Sequence, residues 1–591
     1  MSAGWAAGWA ADWAAAGRAL LARAIGEFAY EEIVEPVGDG DRWTLCLPDG
    51  VTYAFSARRG GFGAWRVDPA SIVRDGEPAA DPVRFLVDVR TLLGLRGTAL
   101  AEAVRDLVAT QTADARLLAG AVPAAALADL SWVDLEAHQG GHPCLVLNKG
   151  RLGFAAADAE RYAPEAGGDL RLTWLAVDAA LARVASVPGV RYGDLLAAEL
   201  DDDVRGAFEA RLPAGRDHVW LPVHPFQWDE VVRPFFAPLL ADGRMVELGR
   251  APDRYRPLQS VRTLANLDRP DRANVKVPLM VRNTLVWRGL SADQTLCAPH
   301  TTAWLQSLRA RDPFLSDECG IVMLGEVASV TVPHPVLSAL GRDDAVPYRY
   351  QDLLGVIWRE PVTSRLAPGE RVRSMASLLL VGGDGRALVA ELVERSGRDA
   401  QTWLRAFLRA LLPPLLHYLY RYGASFTPHG ENVLVISDAG ELPARIALKD
   451  FGADVELLPD EPRYAVAEYA ELPDDVRRRL HRWPPEDLAH SILSAICAGH
   501  FRFLTPLVER HLGVPEPRFW ALVRETVDAY HARFPELAER FAWFDLLAPR
   551  VARVTLNREQ LVGEGFHDRA ERDAEFDVMH GTVDNPLHLH G

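Results

Sequence analysis

Cysteine is scarce: five in 591 residues, at 46, 144, 297, 319 and 497, with no Cys-x-x-Cys pair. That set builds neither a disulfide framework nor a zinc site, and it suits a reducing cytoplasm. Long uncharged apolar runs are missing too. A membrane span needs about 18 such residues, and the nearest run, Phe407 to Tyr420, is broken by Arg409 and Pro413-Pro414. The first residues have no basic n-region and carry Asp12 among their apolar residues, so they do not read as a signal peptide. Excess positive charge is also lacking. The net charge of −17 argues against nucleic acid or a polybasic membrane contact as partner. An anionic ligand must therefore be met by local Arg and Lys clusters. With no internal repeat and no Ser- or Pro-rich linker, domain borders are soft; we draw them at 1–130, 131–345 and 346–591.

What is present is ordinary for a globular protein of two to four units, 49% apolar and 25% charged. Trp5, Trp9 and Trp13 recur every four residues and predict one face of a helix docked on the core or on a second subunit. Arg42–Phe55 reads as a hairpin with Pro-Asp-Gly at its tip. Cys144–Leu147 reads as a short strand, residues 347–358 as the start of a helix, and Ser377–Val393 as a hairpin. Gln401–Tyr422 reads as a helix stopped by Gly423. His224-Pro225 joins a strand to a turn, with His224 read as a structural histidine. In the tail, His588-Leu-His590 reads as a frayed end more than a metal grip.

The stretch with most chemistry is Thr427 to Asp454. Val433–Ile436 and Ala444–Leu448 read as two strands folded at an Asp-Ala-Gly turn. The fold-back brings Asn432 near Lys449 and Asp450, and so gathers oxygen ligands at one end of a ribbon, as Mg²⁺ requires. Its His-Gly-x-Asn and Asp-Phe-Gly elements are similar to the Mg-ATP motifs of protein kinases. Upstream, Asn148-Lys149-Gly150-Arg151 clusters cations at a glycine. Between 258 and 291, Ser260, Arg262, Thr263, Lys276, Arg282, Asn283, Thr284 and Arg288 crowd two strand-like segments. That density in an acidic protein predicts a polyanionic ligand.

Together these segments resemble the NRPS-independent siderophore synthetases, the IucA/IucC family. The matching elements are Gly141-His142-Pro143, Asn148 to Phe154, and His224-Pro225-Phe226-Gln227, where Phe226 replaces the family's usual Trp. They continue through Ser260-Val261-Arg262-Thr263, Lys276, Arg282-Asn283-Thr284, Arg288, His429-Gly430-Glu431-Asn432 and Lys449-Asp450-Phe451. The resemblance implies an α+β thumb–fingers–palm fold, thumb, fingers and palm being the three segments above. It also implies a cytoplasmic homodimer that uses ATP and Mg²⁺ to join a small-molecule carboxylate to an amine or hydroxylamine through an acyl-adenylate. The runs 284–290, 325–332, 351–361 and 411–423 and the stretch 260–272 look closest to the desferrioxamine synthetase-like branch. Its acid is an N-hydroxy-N-succinyl-diamine; other branches use citrate.

Carried over by residue, the resemblance puts Ser260, Arg262, Thr263 and Lys276 on the triphosphate. His142, Lys149 and Arg151 lie over the phosphates or the substrate carboxylate. Arg282, Thr284 and Arg288 face the phosphates or the acyl group. His429 and Asn432 contact phosphate or Mg²⁺, and Asp450 binds Mg²⁺. Glu431, where many relatives have Gln, adds a metal ligand or faces the turn. His429, Arg288, Lys276 and His142 are the candidates for acting on the reacting atoms. Two other classes stay open on the residues alone, an ADP-forming small-molecule kinase and a non-catalytic iron-siderophore binding protein.

Overall fold

The computed structural model describes residues 3–340, 348–350, 352–563 and 579–589. Helix α1 (Ala3–Tyr30) and helix α2 (Gly97–Ala119) pack on each other and on a sheet drawn from residues 37–78. Leu20, Leu21, Ile25 and Phe28 recur at helical spacing and bury against Leu86, Leu93 and Leu107. The hairpin expected over Arg42–Phe55 is present as Arg42–Cys46 paired with Thr52–Arg59. Trp9 and Trp13 lie 6.0 Å apart, ring to ring, on α1. The side chain of Trp5 and the residue His590 lie outside the described residues.

The central chain runs through β1 (Thr263–Asn266), β2 (Asn274–Lys276), β3 (Leu279–Asn283), β4 (Val286–Arg288) and helix α3 (Ala292–Arg311). It continues through β5 (Val322–Met323), β6 (Glu326–Thr331), β7 (Gly355–Arg359) and β8 (Arg371–Ser374). Helix α4 (Ala400–Tyr422), the hairpin β9 (Val433–Ser437) and β10 (Pro443–Leu448), and helix α5 (Glu516–Arg533) follow.

Two sheets position the site. The first is antiparallel, with six strands in the order Tyr255–Pro257, β1, β2, β7, β6, Arg183–Ser186. The second orders β5, β10, β9 and β8. Its β10 is buried by α4, whose Trp403, Phe407, Leu411, Leu415 and Tyr418 sit in the largest core cluster. Gly423, at φ +56°, closes α4 in the left-handed conformation. The border at 345/346 runs through both sheets, because β7 sits between β2 and β6, and β5 joins residues 371–448.

Three local readings change. Residues 355–359 form a fully buried strand, not a helix; five apolar or long residues in mid-sheet satisfy their backbone groups from both neighbours. Ser377–Val393 is a 3₁₀ turn over Met375–Leu379 and a helix over Leu388–Arg395, joined by one Val381–Ala387 bridge. Cys144–Leu147 is buried but irregular. Among the described helices, Pro485–Leu512 is apolar and long enough to pass for a span, but 61% of its apolar window is buried within the chain, as in a core helix.

Candidate active site

The β9–β10 hairpin delivers its ends as the sequence predicts. Val433 pairs with Leu448, and the Lys449 amide donates to the Asn432 carbonyl at 3.3 Å. Beyond β10 the chain turns through Asp450 at φ +79°, a left-handed conformation that is strained for a non-glycine residue. The turn is held because the Gly452 amide donates to Glu326 Oε2 at 2.7 Å. Asp450 ion-pairs with Lys276 and, at 3.1 Å, with Arg359; Arg359 also bonds Glu326 at 2.8 Å. Strand alternation explains this convergence. Thr263 faces Lys276 across β1–β2, and Arg359 faces Glu326 across β7–β6, so all four side chains share one sheet face.

Burial acts to raise the Asp450 carboxyl, but the charges of Lys276 and Arg359 outweigh it and hold the group far below the usual carboxylate range. Asp454 goes the other way. Burial, then the charge on Asp450, pushes it up to about 7. Asn432 donates its amide N–H to Asp454 at 2.9 Å and to the Thr427 carbonyl at 3.1 Å, which leaves its Oδ1 as a free-facing acceptor. Two crowded carboxyls beside an amide oxygen fit a divalent cation that keeps its other positions for water and phosphate. Among the described residues there is no cluster of three or more His, Cys, Asp or Glu that would make a protein-only cage. Glu431 makes no side-chain hydrogen bond or ion pair with any described residue.

Opposite the hairpin, the turn Ser260-Val261 is anchored from below. Glu136 Oε2 accepts the Gln259 amide at 2.8 Å, and Ser260 Oγ accepts the Thr263 amide at 3.2 Å. Val261 (φ +69°) and Thr284 (φ +59°) are β-branched residues in the left-handed region, a strained conformation that the structure around each turn must hold. Arg262 is 7% exposed, its Nε has no partner, and it forms no ion pair among the described residues. Among the described residues Arg288 has one side-chain hydrogen bond, to Thr284 Oγ1 at 3.0 Å, and its Nε is equally unpartnered. Burial, and then the charge of Arg262, lowers the Arg288 guanidinium to about 10. A buried and a half-buried guanidinium that repel each other and form no ion pair among the described residues make a site for an anion.

The other cations are balanced internally, which corrects the expectation that a ligand must offset all of them. Lys149 binds Asp114 at 2.7 Å; Arg151 holds Glu165 through both guanidinium nitrogens; Arg282 binds Asp106 at 2.6 Å and Glu102 at 3.2 Å. His142 and His429 stand edge to face, 6.1 Å apart. Burial lowers the His429 imidazole, and its Nδ1 accepts the Glu431 amide at 3.2 Å, so the neutral ring carries its proton on Nε2. His224 is structural: fully buried, lowered by burial to about 3, and capping Phe226 at 3.1 Å. Phe226 packs edge-on against Phe154 at 4.9 Å.

Glu326, Arg359 and Asp454 went unread in the sequence. Each is a lone charge at the end of an apolar run, and such a signal names no partner. A cavity of about 750 Å³ lies elsewhere, between Tyr30, Arg59, Trp65, Trp520 and Arg553, and none of the residues above lines it.

Known proteins bear on this arrangement. The IucA/IucC family profile matches residues 131–380, which hold the Glu136, Ser260–Lys276 and Arg288 segments. The rhizobactin siderophore biosynthesis protein RhbF of Rhizobium meliloti is 36% identical over 96% of this chain and 95% of its own. The chain belongs to the IucA/IucC family. As a siderophore synthetase of that family it is an ATP-dependent carboxylate–amine ligase. The aerobactin synthase of Escherichia coli is 36% identical over 92% of this chain and 93% of its own. Aerobactin synthetase IucC of Klebsiella pneumoniae superposes with a TM-score of 0.85 at 33% identity, over 98% of this chain and 99% of its own. The family fold is thus this mixed helix-and-sheet fold. A second profile, described as ferric iron reductase FhuF-like transporter, matches residues 401–568. That span holds one cysteine, the buried Cys497, too few for a thiolate-held iron cluster.

Proposed function

We propose that the cleft between β1–β4 and the β9–β10 hairpin binds Mg-ATP and adenylates a carboxylate, and that an amine or hydroxylamine then displaces AMP. The observation that carries this is the meeting of two unpaired guanidiniums, Arg262 and Arg288, with the crowded carboxyls Asp450 and Asp454. One half is built for polyphosphate, the other for the cation that accompanies it. In the first step a carboxylate oxygen attacks the α-phosphorus and pyrophosphate leaves with the bridging electrons. In the second the nitrogen attacks the acyl carbon, the C–N bond forms, the C–O bond breaks, and AMP leaves.

Arg262, Ser260 and Thr263 hold the triphosphate, and Arg288 meets the charge that builds on the phosphoryl oxygens. His429 donates its Nε2 proton to a phosphate oxygen, with His142 beside it. Asp450, Asp454 and Asn432 would hold Mg²⁺, which lowers the cost of charge on the leaving pyrophosphate. Lys276 bridges these halves, tied to Asp450 on the sheet face it shares with Thr263. Lys149, Arg151, Arg282 and Thr284 act from behind by fixing the loops. Glu431 stays a candidate fourth metal ligand.

Residues 1–130, 131–345 and 346–591 serve as thumb, fingers and palm of a cytoplasmic homodimer, with β5 and β7 exchanged across the second border. The acid is an N-hydroxy-N-succinyl-diamine or citrate-type molecule; curated relatives include a putrebactin synthase and a citryl-spermidine ligase. The test is a pyrophosphate-release screen with Mg-ATP, hydroxylamine and citrate, succinate or succinylated N-hydroxydiamines. AMP and a hydroxamate support the reading. ADP with a phosphorylated product sinks it in favour of a kinase.

A further inference from the structure

Four charged groups close on one another where the hairpin meets the six-stranded sheet. Lys276 and Arg359 both bind the same oxygen, Asp450 Oδ1, the guanidinium at 3.1 Å. Arg359 also binds Glu326 Oε1 at 2.8 Å, and the Lys276 ammonium lies 3.8 Å from that oxygen. Two cations and two carboxylates thus balance inside the fold, as buried charges must.

The two carboxylates differ in what they can reach. Glu326 is wholly buried, and its other oxygen accepts the Gly452 amide at 2.7 Å. Asp450 stands at the rim, its side chain 18% exposed and its Oδ2 without a partner among the described residues. Asp450 is therefore the member that an incoming divalent cation meets. It meets that cation with its charge already matched. A carboxylate attracts a metal ion by its negative charge, and two positive groups on one of its oxygens cancel most of that attraction. Glu326, between the same two cations, is an inner counter-ion that stays when Asp450 is engaged elsewhere.

Lys276 faces Thr263 across β1–β2, on the wall assigned above to the triphosphate. We infer that Lys276 is a built-in counter-ion that keeps Asp450 a poor metal ligand until a polyphosphate takes over Lys276, so that Asp450 accepts a divalent cation only together with nucleotide. Arg359 and Glu326 are positioning residues in this scheme. Arg359 keeps Glu326 as its own partner and holds the Asp450 carboxylate by one oxygen, with the other facing out. Binding of metal and of polyphosphate is then coupled, and each strengthens the other by the same factor. The inference rests on the Mg-ATP reading above and adds how free metal is kept from the site.

The test uses the full chain with Mn²⁺, which takes the same oxygen ligands, as probe. Binding is read from the loss of the free-ion electron paramagnetic resonance signal, with no acid and no turnover. The variants are Lys276→Met and Lys276→Gln, and every protein is compared with its Asp450→Asn counterpart to isolate the site. Without nucleotide, the wild type is expected to bind Mn²⁺ at Asp450 only at millimolar concentration. Both Lys276 variants should bind it about tenfold or more tightly, and Asp450→Asn should remove that gain. In the wild type, the uptake that Asp450→Asn abolishes should appear when a non-hydrolysable ATP analogue is added. Tight nucleotide-free uptake by the wild type would overturn the inference. So would Lys276 variants with a lower melting temperature and unchanged Mn²⁺ affinity, the result of a purely structural ion pair. Lys276→Gln keeps a hydrogen-bonding group near Asp450 and is read if Lys276→Met does not fold; if neither folds, the wild-type comparison with and without the analogue decides. Should the analogue not bind at all, the ATP reading fails by itself, while nucleotide-free Mn²⁺ binding still reads Lys276.

Discussion

At the scale of single residues, the site divides by whether a cation already has a partner. Arg151 and Arg262 are about equally buried, but Arg151 is bidentate to Glu165 whereas Arg262 has no counter-ion. Breaking a buried pair costs about 3–5 kcal/mol. Arg151→Ala is thus expected to lower the melting temperature of the unliganded protein sharply. Arg262→Ala should leave it nearly level while weakening ATP binding roughly 10- to 100-fold, about 1.4–2.8 kcal/mol. Thermal scans with nucleotide titrations check both at once. Asp450 belongs to both groups. Asp450→Asn should cut pyrophosphate release by about 100-fold or more and also lower stability, because Lys276 and Arg359 are left sharing Glu326. A variant with wild-type turnover would show that the metal assignment is wrong.

At the scale of elements, the hairpin works because the turn after it is clamped. The Gly452 amide is fixed by Glu326, and the space a side chain would need is taken. A Cβ there would come within 2.7 Å of the Ala298 Cβ, 2.8 Å of the Gln294 carbonyl and 3.0 Å of Glu326 Oε2. Gly452→Ala must shift the turn away from α3 and so move Asp450 off the Lys276 face. The expected result is a loss of adenylation of roughly tenfold or more with the overall fold kept, read by pyrophosphate release together with far-ultraviolet circular dichroism. Unimpaired release would mean that Asp450 need not be held so closely. The same logic explains why strained turns occur at Val261 and Thr284. Val261 directly precedes Arg262, and the Thr284 hydroxyl accepts from Arg288 at 3.0 Å.

At the scale of the molecule, the first and last parts of the chain close on each other. Glu31, at the end of α1, accepts from the backbone amides of Asn557 and Arg558 and from the Asn557 side chain, at 2.6–2.9 Å. Burial pushes its carboxyl up to about 8, against 4.5 when unfolded. The folded chain therefore holds a proton that the unfolded chain has lost throughout that interval. The sign follows: this group's contribution to stability is full below about pH 4.5 and falls as pH rises towards 8. Glu31→Gln should flatten that part of the stability profile, measured as the urea midpoint against pH. An unchanged slope would assign it to other groups.

The grouping of residues at the proposed cleft was legible in the sequence because those residues are local. His429, Asn432, Lys449 and Asp450 lie on one hairpin, and a two-strand fold-back with a polar turn specifies its own register. Ser260, Arg262, Thr263 and Lys276 likewise sit on adjacent strands. What only the tertiary structure decided is which charges are already matched. Asp114 with Lys149, Glu165 with Arg151, Asp106 with Arg282, and Glu326 with Arg359 are brought together by chain reversals of 14 to 176 residues. Alternation along a strand shows that a cation faces inward but not what waits there. That difference separates Arg262 and Arg288, which form no ion pair among the described residues, from the paired cations around them. It depends on the dielectric and the distance at each side chain, which the order of residues alone does not contain.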